Sequence, residues 1–197
     1  MNQVPRTVRI LHQETLLDDF FQVDAATLQY ERFDGSLSEP VRRLRLDRGD
    51  SVAALIVHTG TGCALMVQQF KYPVFGVADG WIVEVVAGMI DRGETPEAAI
   101  RREVREEIGY ELTHLERVST FFVSPGGSSE RIFLFYAEVT DDARIGPAGG
   151  VLAEGEDIAI REYTIPDAFA AVERGEIVDA KTIISLYWLR QRQERPQ

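Results

Sequence analysis

Hydrophobic and polar residues alternate through three stretches near the N-terminus, VRILHQETLL, FFQVDAATLQYERF and VRRLRL. Period-2 alternation in β-forming residues predicts strands across residues 7–46. Asp34-Gly35 supplies a hairpin turn signal among them. A sheet this small is not stable alone and is expected to pack on the remainder of the chain or on a second subunit. On the third stretch Arg43 and Arg45 share one face and Leu44 and Leu46 the other. Next, SVAALIVH and CALMVQQF flank Thr59-Gly60-Thr61-Gly62 and read as a hairpin. Pro73 ends its second strand, because proline cannot donate to the ladder. Further strands are expected in WIVEVVAG, in residues 112–122, in ERIFLFYAEV and in IAIREYTI. Residues 140–157 are rich in glycine and acidic residues without a period, and predict a long loop.

The pattern turns helical in three places. Pro166 to Gly175 reads as a short helix, with proline near its start and glycine at its end. In the last helix Ala180, Ile183, Ile184, Tyr187 and Trp188 follow helical spacing and predict the buried face. Between Thr95 and Gly109, Ile100, Val104 and Ile108 form an apolar stripe. Thr95 suits the N-cap, Pro96 the first helical position and Gly109 the position just past the end. The sum is an α+β organisation: an antiparallel-leaning mixed sheet packed against a few helices.

The polar face of the middle helix is unusual. Glu103 and Glu107 lie about 40° apart on it, from ~100° per residue, with Glu106 beside them. Like charges at this spacing repel by about 0.2–0.5 kcal/mol. Arg101, Arg102 and Arg105 can offset that, or a hard divalent cation can, since Mg²⁺ takes carboxylate oxygens together with water and phosphate.

Composition narrows the partners. The net charge is −11, and nearly all of it falls after Arg45. The one basic cluster is Arg42, Arg43, Arg45 and Arg48, so a nucleic-acid partner is not expected. No apolar run reaches the roughly 18 residues that span a bilayer, and no membrane partner is expected. The first residues lack the long apolar segment of a secretory signal. Cys63 is the single cysteine. A reducing cytoplasm is the expected setting.

The stretch GMIDRGETPEAAIRREVREEIGY resembles the Nudix box, G-x5-E-x7-R-E-U-x-E-E-x-G-U with U aliphatic. Gly88, Glu94, Arg102, Glu103, Val104, Glu106, Glu107 and Gly109 match it. Tyr110 departs from it at a packing position. The resemblance implies an α/β/α sandwich with a mixed sheet and a small N-terminal antiparallel β-region. It divides the chain into residues 1–46, exchanged between the subunits of a homodimer, and a catalytic domain over 47–197. Pro125 stands sixteen residues after Gly109, within SPGGSSER. With WIVEVVAGMID, GGVLAEGEDI and DAKTIISLYWL, this is similar to the bacterial ADP-ribose and GDP-mannose pyrophosphatase branch.

What the resemblance implies is metal-dependent hydrolysis of the pyrophosphate of a nucleoside diphosphate sugar. The leading substrate is ADP-ribose, giving AMP and ribose 5-phosphate; the alternatives are GDP-mannose and UDP-glucose, and a non-catalytic ligand sensor stands further off. Mg²⁺ or Mn²⁺ would be held by Glu103, Glu107 and the carbonyl of Ala87, with Glu106 as a third ligand or water-holder. Arg102 would orient Glu94 or a box carboxylate. In the late loop Glu154 would be the general base and Glu156 a further metal ligand. Lys71 would contact phosphate, and Glu84 and Glu130 the ribose hydroxyls. Glu84 is also a charged residue inside an apolar strand, where a buried carboxylate is costly unless paired. Arg43, with Tyr30 or Phe33, would hold the base.

Overall fold

In the computed structural model, residues 6–150, 155 and 157–194 are described. The chain forms two compact units. One comprises Met1–Gly49 with Phe122–Glu130, the other Asp50–Phe121 with Arg131–Gln197.

The first unit is a three-stranded antiparallel sheet in the order β1 (Val8–Asp18), β2 (Gln22–Tyr30), β3 (Val41–Asp47). Asp24, its one buried charge among the described residues, is organised by hydrogen bonds. Asp24 accepts from Gln22 at 2.9 Å, Thr15 at 3.0 Å and Arg45 at 2.6 Å. These bonds, that from Gln22 foremost, hold its carboxyl below the usual range. β1 is exposed along its whole length, including Val8, Ile10, Leu11, Leu16 and Leu17. The SPGGSS loop is stitched to β3, with Leu46 N donating to Gly127 O at 2.9 Å and Ser129 N to Leu46 O at 3.0 Å.

The second unit holds a six-stranded mixed sheet. Its strands are β4 (Ser51–His58), β5 (Cys63–Phe70), β6 (Trp81–Met89), β7 (Glu116–Phe122), β8 (Arg131–Val139) and β9 (Ala159–Thr164), in the order β7-β8-β4-β6-β5-β9. β4 and β8 run parallel, and β4–β5, β4–β6, β5–β6 and β5–β9 run antiparallel. The helices are α1 (Pro96–Ile108), α2 (Ile165–Glu173) and α3 (Ala180–Glu194). Alternation along β4 feeds two cores. Val52, Ala54 and Ile56 pack with Ile100, Val104 and Ile108 of α1. Ala53 and Leu55 pack with Ala168 and Ala171 of α2 and Leu186 and Leu189 of α3. That is the α/β/α layering expected.

The sheet splits along β4. Its first half pairs with β6 and its last three residues with β5. The start of α3 meets β6 there: the Val85 N–H donates to Thr182 Oγ1 at 2.9 Å. This sets the rotation of α3 and corrects the expected face. The buried positions are Thr182, Ser185, Leu186 and Leu189, while Ile184 and Tyr187 are 39% and 45% exposed. Ser185 tolerates burial because its hydroxyl donates to Thr182 O at 2.8 Å. The strand expected from residue 112 starts only at Glu116, since Leu112 is buried in the α1 core and its carbonyl accepts from Arg101.

Candidate active site

Local chemistry sets α1 in place. Thr95 Oγ1 accepts from Ala98 N at 3.2 Å, Pro96 opens the helix, and Gly109 closes it at φ +74°. Burial of the apolar stripe turns Glu103 and Glu107 inward, leaving them 7% and 1% exposed. Glu107 Oε2 accepts from the Ala87 N–H at 3.3 Å. Glu103 lies directly over Gly88, where an added Cβ would stand 1.9 Å from Glu103 Oε1. The box therefore needs glycine at that position for close approach, not for backbone freedom.

Arg102 gathers the remaining box residues. Its Nε and Nη2 donate to the two oxygens of Glu94 at 3.3 and 3.1 Å. Its Nη1 donates to Glu103 at 2.8 Å and Glu106 at 3.2 Å, and Nη2 also reaches Met89 O at 3.1 Å. A planar guanidinium can bind this many acceptors in fixed directions, which an ammonium cannot. The hydrogen bonds with Glu94, and the charges around it, hold the Arg102 pKa well above its usual range. The same bonds lower that of Glu94.

The donor set is carboxylate oxygen throughout, partly desolvated, with more negative than positive charge. That chemistry suits a hard divalent cation. Among the described residues, no group of three or more His, Cys, Asp or Glu stands in metal-holding geometry. Glu103 and Glu106 are instead turned onto Arg102.

A second polar cluster surrounds Glu84 on β6, which is 3% exposed. Lys71 reaches it at 3.0 Å, Gln69 donates to it at 3.3 Å, and Lys181 of α3 also donates to it. Lys181 bonds Asp179 at 2.8 Å as well. Burial works against the Lys181 ammonium, but Glu84 and Asp179 outweigh it and raise its pKa. The structure thus joins Lys71 to Glu84. It adds Lys181 and Asp179, which the sequence reading passed over. The available signal was a lysine in the first turn of an apolar helix, where the helix dipole disfavours a cation.

Two other candidates lie in the first unit. Arg43 is exposed and donates to Arg42 O at 3.0 Å. Glu130 stands 3.6 Å from Arg48. Arg43 faces Ala26 across the ladder, Tyr30 faces Val8, and the Phe33 ring is covered by Arg6 at 3.9 Å. Glu154 and Glu156 lie outside the described residues.

Residues 47–186 match the NUDIX domain family. The ADP-ribose pyrophosphatase of Escherichia coli (strain K12) is 33% identical over 183 residues, covering 92% of this chain and 87% of that protein. The GDP-mannose pyrophosphatase of the same strain is 33% identical over 184 residues, covering 92% and 94%. A crystal structure of an ADP compounds hydrolase superposes with a TM-score of 0.71 over 96% of each chain, at 18% identity, a likeness of fold. With the box intact, Glu103 buried over Gly88 and the family matched across most of its length, this chain belongs to the NUDIX domain family and is a Nudix hydrolase.

Proposed function

We propose that this protein hydrolyses the pyrophosphate of a nucleoside diphosphate sugar, with ADP-ribose preferred: ADP-ribose and water give AMP and ribose 5-phosphate. The observation that carries the reading is the buried Glu103–Glu107 pair on one face of α1, with Glu103 bonded to Arg102. Its relatives by sequence include an ADP-ribose pyrophosphatase and a GDP-mannose pyrophosphatase. GDP-mannose and UDP-glucose are the alternative substrates, the first supported by an identity equal to that of the ADP-ribose relative.

Nudix hydrolases in general depend on a divalent metal; we take Mg²⁺ as the ion here, with Mn²⁺ as its substitute. Once bound, such an ion screens the charge of the two phosphates and makes water a competent nucleophile near neutral pH. Glu103, Glu107 and the Ala87 carbonyl hold it, joined by Glu106 and by Glu156. Arg102 keeps Glu103 and Glu106 from swinging away. Glu154 takes the proton of the attacking water. Lys71 faces a phosphate, Glu84 and Glu130 accept from ribose hydroxyls, and Arg43 contacts the base.

Residues 1–46 are proposed as the dimer-forming region and 47–197 as the catalytic domain. Support for a homodimer comes from β1, whose exposed Val8, Ile10, Leu11, Leu16 and Leu17 place a long apolar edge in water. The lone cysteine supports a cytoplasmic setting.

The test is turnover. Purified protein with Mg²⁺ is given ADP-ribose, GDP-mannose and UDP-glucose separately, and nucleoside monophosphate release is followed by chromatography. Preferred release of AMP supports the reading. Preferred release of GMP or UMP overturns the choice of sugar nucleotide. A folded protein that binds but hydrolyses none of them is a sensor instead.

A further inference from the structure

A helix leaves its last carbonyls without partners inside the helix. In α1 the Arg105 carbonyl is taken by Gly109 N at 3.2 Å. The next two carbonyls belong to Glu106 and Glu107, and the late loop supplies their donors. Gly150 N bonds Glu106 O at 3.2 Å and Gly149 N bonds Glu107 O at 3.1 Å. The same loop adds Ile145 N to Gly109 O at 2.8 Å, and Ala143 O accepts from Glu111 N at 2.8 Å. Gly149 also accepts from Ile158 N at 3.2 Å, beside the start of β9. Gly149 thus ties the end of the box helix to the residue that closes the acidic loop. Positive φ favours glycine at each of these turns. Gly149 and Gly150 have φ of +138° and +77°, and Gly109 has +74°. A Cβ on Gly109 would come within 2.4 Å of Gly146 O.

We infer that Gly149 and Gly150 are positioning residues, a backbone latch that holds Glu106, Glu107 and the root of the acidic loop in one frame. This rests on the reading that the box carboxylates serve hydrolysis. Helix ends fray, and misplacement by about 1 Å costs on the order of 100-fold in rate. Without the latch the last turn of α1 is free to fray, taking Glu106 and Glu107 with it.

The test combines hydrogen exchange with kinetics in the full-length protein, comparing wild type with Gly150→Val and Gly150→Asn. Asparagine accepts the left-handed conformation and valine does not. In the wild type the Gly149 and Gly150 amides are expected to exchange as slowly as those of the last turn of α1. Gly150→Val is expected to lose that protection and to lower kcat at least tenfold, with KM unchanged within about twofold. Gly150→Asn is expected to keep both. A purely structural role would lower Tm without splitting kcat from KM. Wild-type amides exchanging at free-peptide rates overturn the latch whatever the activity. So does a Gly150→Val protein that loses protection yet keeps kcat within twofold. A wild type that hydrolyses no nucleoside diphosphate sugar contradicts the substrate reading alone, and the exchange arm still decides the latch.

Discussion

Two buried acidic clusters stand in the same unit and solve opposite problems. At the box, one cation, Arg102, serves Glu94, Glu103 and Glu106, and the buried Glu107 lies beside them on the helix. At β6, one carboxylate, Glu84, is met by two lysines, with Asp179 completing a balanced set. The first cluster keeps surplus negative charge, which suits a site that takes up a cation. The second is neutral as it stands and joins α3 to the sheet where β4 changes partners. Burial alone therefore does not mark a metal site; the sign of the local charge does.

The comparison breaks most sharply at Glu107. Glu107→Gln is expected to lower kcat by about 10²–10³-fold with little loss of stability, read by steady-state kinetics beside a thermal melt. The opposite pattern is expected at the second cluster. Lys181→Met leaves buried Glu84 with one lysine, Lys71, beside the Gln69 amide and should cost about 3 kcal/mol in urea unfolding. Adding Glu84→Gln should recover much of that loss, because no buried charge then lacks its second partner. Gly88→Ala tests the cradle. Its methyl group would occupy the space of the Glu103 carboxylate, and kcat should fall by about 100-fold.

The smallest effect separates the clusters by pH. Glu94 has its pKa lowered by Arg102. Its contribution to stability is complete above the ordinary value of 4.5 and is lost as pH falls through the folded value. Lys181 has its pKa raised, so its contribution is complete below the ordinary value of 10.5 and is lost as pH rises through the folded value. Glu94→Gln should flatten the acid limb of the stability profile, and Lys181→Met the alkaline limb. Urea midpoints across pH check both.

Much of this was legible in the chain. The hairpin of β4 and β5 was fixed by its turn and its apolar runs, and α1 by Thr95, Pro96 and Gly109, because these are local signals. The box spacing placed Glu103 and Glu107 on one face. Legibility failed where long-range contacts decide. The rotation of α3 follows from the Val85–Thr182 bond, which joins residues far apart in sequence, so the stripe Ala180, Ile183, Ile184, Tyr187 and Trp188 was right at Ile183 and Trp188, which pack on the core, and wrong at Ile184 and Tyr187. Lys181 was passed over because Glu84, the buried carboxylate it meets, lies on β6, far away in sequence. The role of Gly88 as space for a carboxylate, and of Gly149 and Gly150 as caps for α1, likewise required the fold.

The central claim is that the box carboxylates, and not the balanced cluster at β6, hold the metal. Mn²⁺ titration followed by the resonance of the free ion, with wild type, Glu107→Gln and Glu84→Gln, tests it directly. The account predicts equal affinity in wild type and Glu84→Gln, and a loss of at least about tenfold in Glu107→Gln. Unchanged Mn²⁺ affinity in Glu107→Gln, or its loss in Glu84→Gln, would contradict it.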